Sequence, residues 1–139
     1  WGHIGFDHST YSAIPVQVDF AGSFKDISAG YRHVCGLDTS DKIWCWGDGS
    51  TGALGIGPSG KLLKPTTSVA GTYKSVSAGN AYTCAVSTTG QGYCWGMNYY
   101  GRFGDGTQTH SNVPVPVLGG PYLKINVDNS YHTTAIKAP

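Results

Sequence analysis

The stretch HVCGLDTSDKIWCWG, residues 33–47, returns 49 places later as YTCAVSTTGQGYCWG, residues 82–96, and the two copies hold all four cysteines of the chain. Placing Cys35 opposite Cys45 pairs Gly36 with Trp44, Leu37 with Ile43 and Asp38 with Lys42, leaving Thr39-Ser40-Asp41 as a three-residue loop. The same construction in the second copy pairs Cys84 with Cys94 and leaves Thr88-Thr89-Gly90. Gly90 then stands at the third loop position, where this hairpin type wants a left-handed residue, and Asp41 tolerates the same position at some cost. The turn chemistry and the cysteine spacing thus agree on one register.

Cysteines directly opposite in an antiparallel pair lie within disulfide reach. The phrase reads as a stapled hairpin, Cys35 with Cys45 and Cys84 with Cys94, which implies an oxidising compartment. Two other fates are open at this point. The cysteines could be buried thiols, or zinc ligands, although Cys-x9-Cys is not the short ligand spacing of structural zinc sites. In the first hairpin one face carries Cys35, Leu37, Ile43 and Cys45, and the other carries Val34, Gly36, Trp44 and Trp46. A strand pair with two apolar faces has to be covered on both sides. Gly36 opposite Trp44, and Ala85 opposite Tyr93, read as small residues making room for rings.

Working outward, the 49-residue shift also superposes Phe24 on Tyr73 and Tyr122, and Ser28-Ala29-Gly30 on Ser77-Ala78-Gly79. It carries GALGIG (52–57) onto GRFGDG (101–106) and Pro65 onto Pro114. Cut from Trp to Trp, the chain comprises a shortened unit 1–45, a complete unit 46–94 and a truncated unit 95–139. Each unit is a set of short runs of Val, Ile, Tyr and Trp separated by Gly, Asn, Asp, Ser and Pro, with no sustained helical period. Units of this size built from several short strands are the signature of β-propeller blades. The expectation is an all-β chain, an incomplete β-propeller of about three four-stranded repeats.

The order ISAGYRHVCGLDTSDKIWCWGDGSTGALGIG (27–57) followed by Pro65, and VSAGNAYTCAVSTTGQGYCWGMNYYGRFGDGT (76–107) followed by VPVPV (113–117), resembles the regulator of chromosome condensation repeat. The resemblance implies blades of four strands in a ring of typically seven. Three departures stand out: Asp128 replaces the repeat glycine, Thr133 replaces the cysteine, and HIGFDHSTY (3–11) lacks the Leu-Gly-x-Gly signature. Fewer than three units leave blade faces and a sheet edge to be covered. The chain therefore reads as a piece of a longer propeller. The alternative is that copies complement one another end to end, with Trp1 of one opposite His132 of the next.

Composition narrows the function. A net charge of +1 in 139 residues, with 12% charged residues, gives no electrostatic excess for nucleic acid or anionic membrane, and no apolar run is long enough to span a bilayer. The founding member of the family promotes nucleotide exchange on a small nuclear GTPase and touches chromatin, a role at odds with stapled hairpins and near-neutral charge. A non-catalytic extracellular or cell-surface module is expected instead, binding protein or building a fibrous assembly, its partners being other copies or the rest of a longer chain. A carbohydrate-binding propeller is the alternative, with Tyr99, Tyr100, Phe6 and His8 as candidate ring contacts in loops. No cofactor, metal site or catalytic residue is expected. His3, His8, His33, His110 and His132 show no metal spacing, Asp48 and Asp105 lack the ligand series of a calcium loop, and the glycine loops lack the lysine of a phosphate loop.

Overall fold

The computed structural model describes residues 12–129 and 131–139. The expectations placed on Trp1, Phe6 and His8 lie outside the described residues. The described residues form two four-stranded antiparallel sheets and one two-stranded sheet. The first sheet runs β1 (Phe24–Ala29), β2 (His33–Asp38), β3 (Ile43–Asp48), β4 (Lys61–Leu62) in simple up-and-down order, and the second runs β5 (Tyr73–Ala78), β6 (Tyr82–Ser87), β7 (Gly92–Gly96), β8 (Ser111–Pro116) likewise. The third pairs β9 (Tyr122–Val127) with β10 (Thr133–Lys137). This is the blade arrangement of a propeller. Trp46 and Trp95 fall inside β3 and β7, so the Trp-to-Trp units and the sheets are out of phase. Among the described residues no helix is long and apolar enough to cross a membrane.

The hairpin registers follow from their turns. Cys35 faces Cys45, Gly36 faces Trp44 and Leu37 faces Ile43, and the second hairpin repeats this with Cys84 on Cys94 and Ala85 on Tyr93. Asp41 and Gly90 close the two loops at φ 65° and 90°, the left-handed region that glycine enters without steric cost. Asp38 secures the first loop: its carboxylate accepts hydrogen bonds from the backbone N–H of Ser40 and Lys42 and from Trp44 Nε1, at 2.8, 2.9 and 2.8 Å. Both cysteine pairs are disulfides, with Cα atoms 4.1 Å apart in each.

The space over Gly36 goes to a different ring from the expected one. A Cβ there would meet the ring of Phe24, which lies on the neighbouring strand β1, 2.6 Å away. Trp44 points its indole N–H at Asp38 instead.

The core forms between sheets. The disulfide face of the first sheet, with Cys35, Leu37, Ile43 and Cys45, packs on Tyr73, Val76, Ala85 and Trp95 of the second. The disulfide face of the second, with Cys84, Val86 and Cys94, packs in turn on Tyr122, Ile125 and Val127 of the third. Burial of this apolar surface supplies most of the cohesion. The serine of each Ser-Ala-Gly phrase bridges the same gap: Ser28 Oγ accepts from Ala78 N at 2.9 Å, and Ser77 Oγ from Val127 N at 3.0 Å. The glycine of that phrase lets backbones approach, since a Cβ on Gly79 would lie 2.6 Å from the carbonyl of Asp128.

The third unit corrects one assignment. Thr133 pairs with Val127 and Thr134 with Asn126, as Thr83 pairs with Ala78 and Cys84 with Ser77. Thr134, not Thr133, stands in the cysteine's place, because the loop before β10 is one residue longer than its counterpart. His132 accordingly takes the place of Tyr82, and in both complete hairpins that position faces a glycine, Gly47 or Gly96, whereas the tryptophan faces the following residue. By that register a completing tryptophan would lie opposite Thr133 rather than His132.

Candidate functional site

The rim at which the glycine loops lie gathers the polar and aromatic side chains. In the loop between β7 and β8 of the second sheet Asn98 is the buried organiser. Its Oδ1 accepts from Phe103 N at 2.9 Å, its Nδ2 donates to Thr107 O at 3.1 Å and Asp105 Oδ1 at 3.2 Å, and its backbone N–H donates to His110 Nδ1 at 2.9 Å. Burial pushes the Asp105 carboxyl up, but hydrogen bonds from the Thr107 backbone and hydroxyl and from Asn98 outweigh it and hold it below the usual range. Asp48 is used in the same local way, accepting from the backbone N–H of Ser50 at 3.0 Å. Both aspartates act as loop fasteners.

Pinned in this way, the loop makes a short 3-10 turn, Tyr99–Gly101, with Tyr100 at φ 60°. The two tyrosines expected in a loop are therefore presented outward: Tyr100 is 81% and Tyr99 47% exposed. Tyr99 meets the ring of His110 edge-on at 4.7 Å, and Tyr100 meets Tyr131 of the third unit edge-on at 5.8 Å. The structure brings Tyr99 and Tyr100 together with Tyr131, which the sequence had not singled out, and keeps His132 one residue beyond.

Beneath these rings lies a residue that sequence reasoning missed. Arg102 is only 6% exposed, with its guanidinium carbon 4.5 Å from the ring centre of Tyr82, 5.3 Å from Tyr131 and 5.6 Å from Tyr99. Three ring faces around one cation are a favourable arrangement. Its Nε and Nη1 nevertheless make no hydrogen bond among the described residues. Burial pulls the guanidinium below its ordinary value, with Tyr82, Tyr131 and Tyr99 opposing. The signal available in the sequence was the replacement of Ala53 in GALG by Arg102 in GRFG.

Arg102 also lines a pocket of its own with Phe103, Val117, Leu118 and Ile125. Separate from it, on the His110 side of Tyr99, a cleft of about 510 Å³ is lined by Ser50, Thr51, Ser59, His110, Ser111 and Asn112. Ser59 Oγ is buried there without a hydrogen-bond partner. His110 belongs both to this cleft and to the aromatic cluster.

Two family models, each described as the regulator of chromosome condensation (RCC1) repeat, match residues 24–53 and 73–102 and residues 40–86, together spanning 24–102. A curated relative, the ultraviolet-B receptor UVR8 of Arabidopsis thaliana, is 34% identical over 61 residues, covering 42% of this chain and 14% of its own length. Among solved structures, yeast Prp20p from Saccharomyces cerevisiae superposes with a TM-score of 0.74 at 20% identity, over 89% of this chain and 33% of its own. Human WBSCR16 gives 0.70 at 24%, over 82% and 30%. The ectodomain of the Arabidopsis thaliana receptor kinase ACR4 gives 0.52 at 21%, over 84% and 33%. These structural likenesses establish the fold, and the chain spans about a third or less of each protein's length.

Proposed function

The chain belongs to the regulator of chromosome condensation repeat family, and on that premise we propose that it is a non-catalytic, extracellular binding or structural module whose partners are further propeller units. Those units are the rest of a longer parent chain or other copies of this one. The observation that carries this reading is the third sheet. Among the described residues β10 pairs on one side only, and Ile136, whose counterpart Val86 is buried, is 56% exposed. A strand with an unpaired edge and an uncovered apolar residue is a template for another strand.

Two disulfides support the extracellular part, since thiols in the cytosol are kept reduced. Near-neutral charge argues against the chromatin role, whereas Prp20p is described by its binding to Gsp1p and histones. ACR4 supplies a relative in which this fold serves as a receptor ectodomain.

The test is the intact mass of the native, non-reduced protein, with and without thiol alkylation, followed by light scattering. A longer chain, or a multimer of the short one, is expected, with no cysteine alkylated. A stable closed monomer of 139 residues would overturn the assembly reading. Four alkylated cysteines would overturn the compartment.

A further inference from the structure

The contact between the first two sheets shows what fits beside β10. There the indole of Trp95, on β7, fills the space over Gly55, where a Cβ would lie 2.6 Å from its Nε1, and that Nε1 donates to the carbonyl of Ala53 at 2.8 Å. The hydroxyl of Thr83 donates to the same carbonyl at 2.9 Å, so both lone pairs are used. One repeat on, Arg102, Gly104 and Thr133 stand in the places of Ala53, Gly55 and Thr83. The carbonyl of Arg102 accepts from Thr133 Oγ1 at 2.7 Å, and where the indole lies in the first contact this one has a pocket of about 290 Å³ walled by Phe103, Leu118, Ile125 and Ala135. Leu118 is 64% exposed, whereas its counterpart Val69 is 1%. The backbone points the same way. Cys84 and Cys94, with Cα atoms 4.1 Å apart, form the narrow kind of antiparallel pair, so the flanking Thr83 and Ala85 exchange their backbone hydrogen bonds with β7. By the same alternation Thr133 and Ala135 turn their N–H and C=O groups to the edge of β10 that has no partner among the described residues.

We propose that this edge and pocket together dock one kind of partner: an extended segment of a further propeller unit that carries an aromatic-x-Trp-Gly phrase, pairs antiparallel to β10 and seats its tryptophan between the second and third sheets. The tryptophan lies opposite Thr133, donates its indole N–H to Arg102 O and covers Leu118. The aromatic residue two places earlier lies opposite Ala135, as Tyr93 lies opposite Ala85, and the glycine lies opposite His132, as Gly96 lies opposite Tyr82. In the two complete hairpins a disulfide ties such a strand to its neighbour, but Thr134 holds the cysteine's place in β10. The docked segment is therefore held by pairing and packing alone, as in strand addition to a sheet edge. This inference rests on the open edge of β10 in the reading above and adds the chemistry of what fills it.

The experiment is an NMR titration of the isotope-labelled protein of 139 residues with a synthetic peptide of the sequence Gln91–Met97, serine replacing its cysteine. Saturable shifts are expected at Thr133, Ala135 and Gly104 and not at the first hairpin loop, Thr39 and Ser40. The same peptide with alanine for its tryptophan should bind at least about tenfold more weakly, as loss of a buried tryptophan anchor does, and with phenylalanine it should fall between the two. In the protein, Ala135→Pro removes an outward N–H at a position where edge strands tolerate proline, and should abolish binding. No shift along β10, or equal affinity for the tryptophan and alanine peptides, would overturn the proposal. If Ala135→Pro fails to fold, the peptide series decides alone. Where the protein is a multimer joined through this edge, the peptide should compete and lower its mass, and an unchanged mass counts against the proposal. Where the intact mass reveals a longer chain, a strand beside β10 without the tryptophan does the same. A stable short monomer that binds the peptide would sink the assembly reading and leave this inference standing, so the two fail separately.

Discussion

The imidazole Nε2 of His33 on the first sheet lies 2.7 Å from the hydroxyl oxygen of Thr83 on the second. That hydroxyl donates to the carbonyl of Ala53 at 2.9 Å, so only its lone pairs remain for His33, and Nε2 is the nitrogen that carries the proton. Both side chains are buried. One threonine of the second sheet thus ties down both a strand and the β3–β4 loop of the first. In the third unit Thr133 does the same, donating to Arg102 O at 2.7 Å and meeting Tyr82 Oη at 3.2 Å.

Replacing Thr83 by valine keeps the shape and strands the His33 N–H. The expected loss is about 1–3 kcal/mol, the cost of an unsatisfied buried donor. Thr83→Ser, which keeps the hydroxyl, should lose less. Urea unfolding of the two variants checks this, and equal losses would mean that packing alone holds the contact.

Asp38 sets an acid limit. Burial raises its carboxyl, but hydrogen bonds from Lys42, Trp44 and Ser40, with Lys25 nearby, outweigh that and leave it below its ordinary value. A depressed carboxyl contributes stability that is present above the unfolded value, near pH 4, and is lost as pH falls through the folded one. The urea midpoint should therefore be steady from about pH 7 to 5 and fall below about pH 4. Asp38→Asn should flatten that fall, leaving the part due to Asp105, which is depressed in the same way.

Each disulfide closes a loop with a sequence separation of 10. Replacing Cys84 and Cys94 together by alanine should cost about 2–3 kcal/mol from loop closure, plus whatever the lost sulfur packing adds. Guanidinium unfolding of the double variant against the native protein measures it. A cost near zero would mean that the buried β6–β7 strand pairing fixes the hairpin without the bond.

Gly90 and Asp41 offer a paired test of the turn. Gly90→Ala should destabilise by about 1 kcal/mol, since its φ of 90° is strained for any side chain. Asp41→Gly relieves the same strain while giving up an exposed ion pair with Lys25, itself worth about 0–1 kcal/mol, so the net change should be small. Thermal melting of both variants distinguishes the two positions.

How much of this was legible depended on whether neighbours in sequence were neighbours in space. The hairpin registers were readable because Asp41 and Gly90 mark the turn and the two-residue alternation does the rest. The partner of Gly36 was misjudged because the ring above it comes from Phe24, on a strand whose offset no turn residue fixes. The third unit was read one residue out because Tyr131 resembles Tyr82, which hides the longer loop before β10. Arg102 escaped notice because Tyr82, Tyr99 and Tyr131, the rings that enclose it, come from a strand and two separate loops. The GRFG pattern around it suggested only a turn.

At both sheet contacts among the described residues unlike surfaces meet: a disulfide face on one side and a tyrosine-bearing face on the other, joined by Trp95 at the first. Such a stack has a direction, like a row of plugs and sockets. A unit can follow another but cannot turn to meet it face to face, so any contact that extends this row is heterologous rather than two-fold symmetric. Whether the row forms a ring or a filament is then decided by one quantity, the angle through which each unit turns from the one before it.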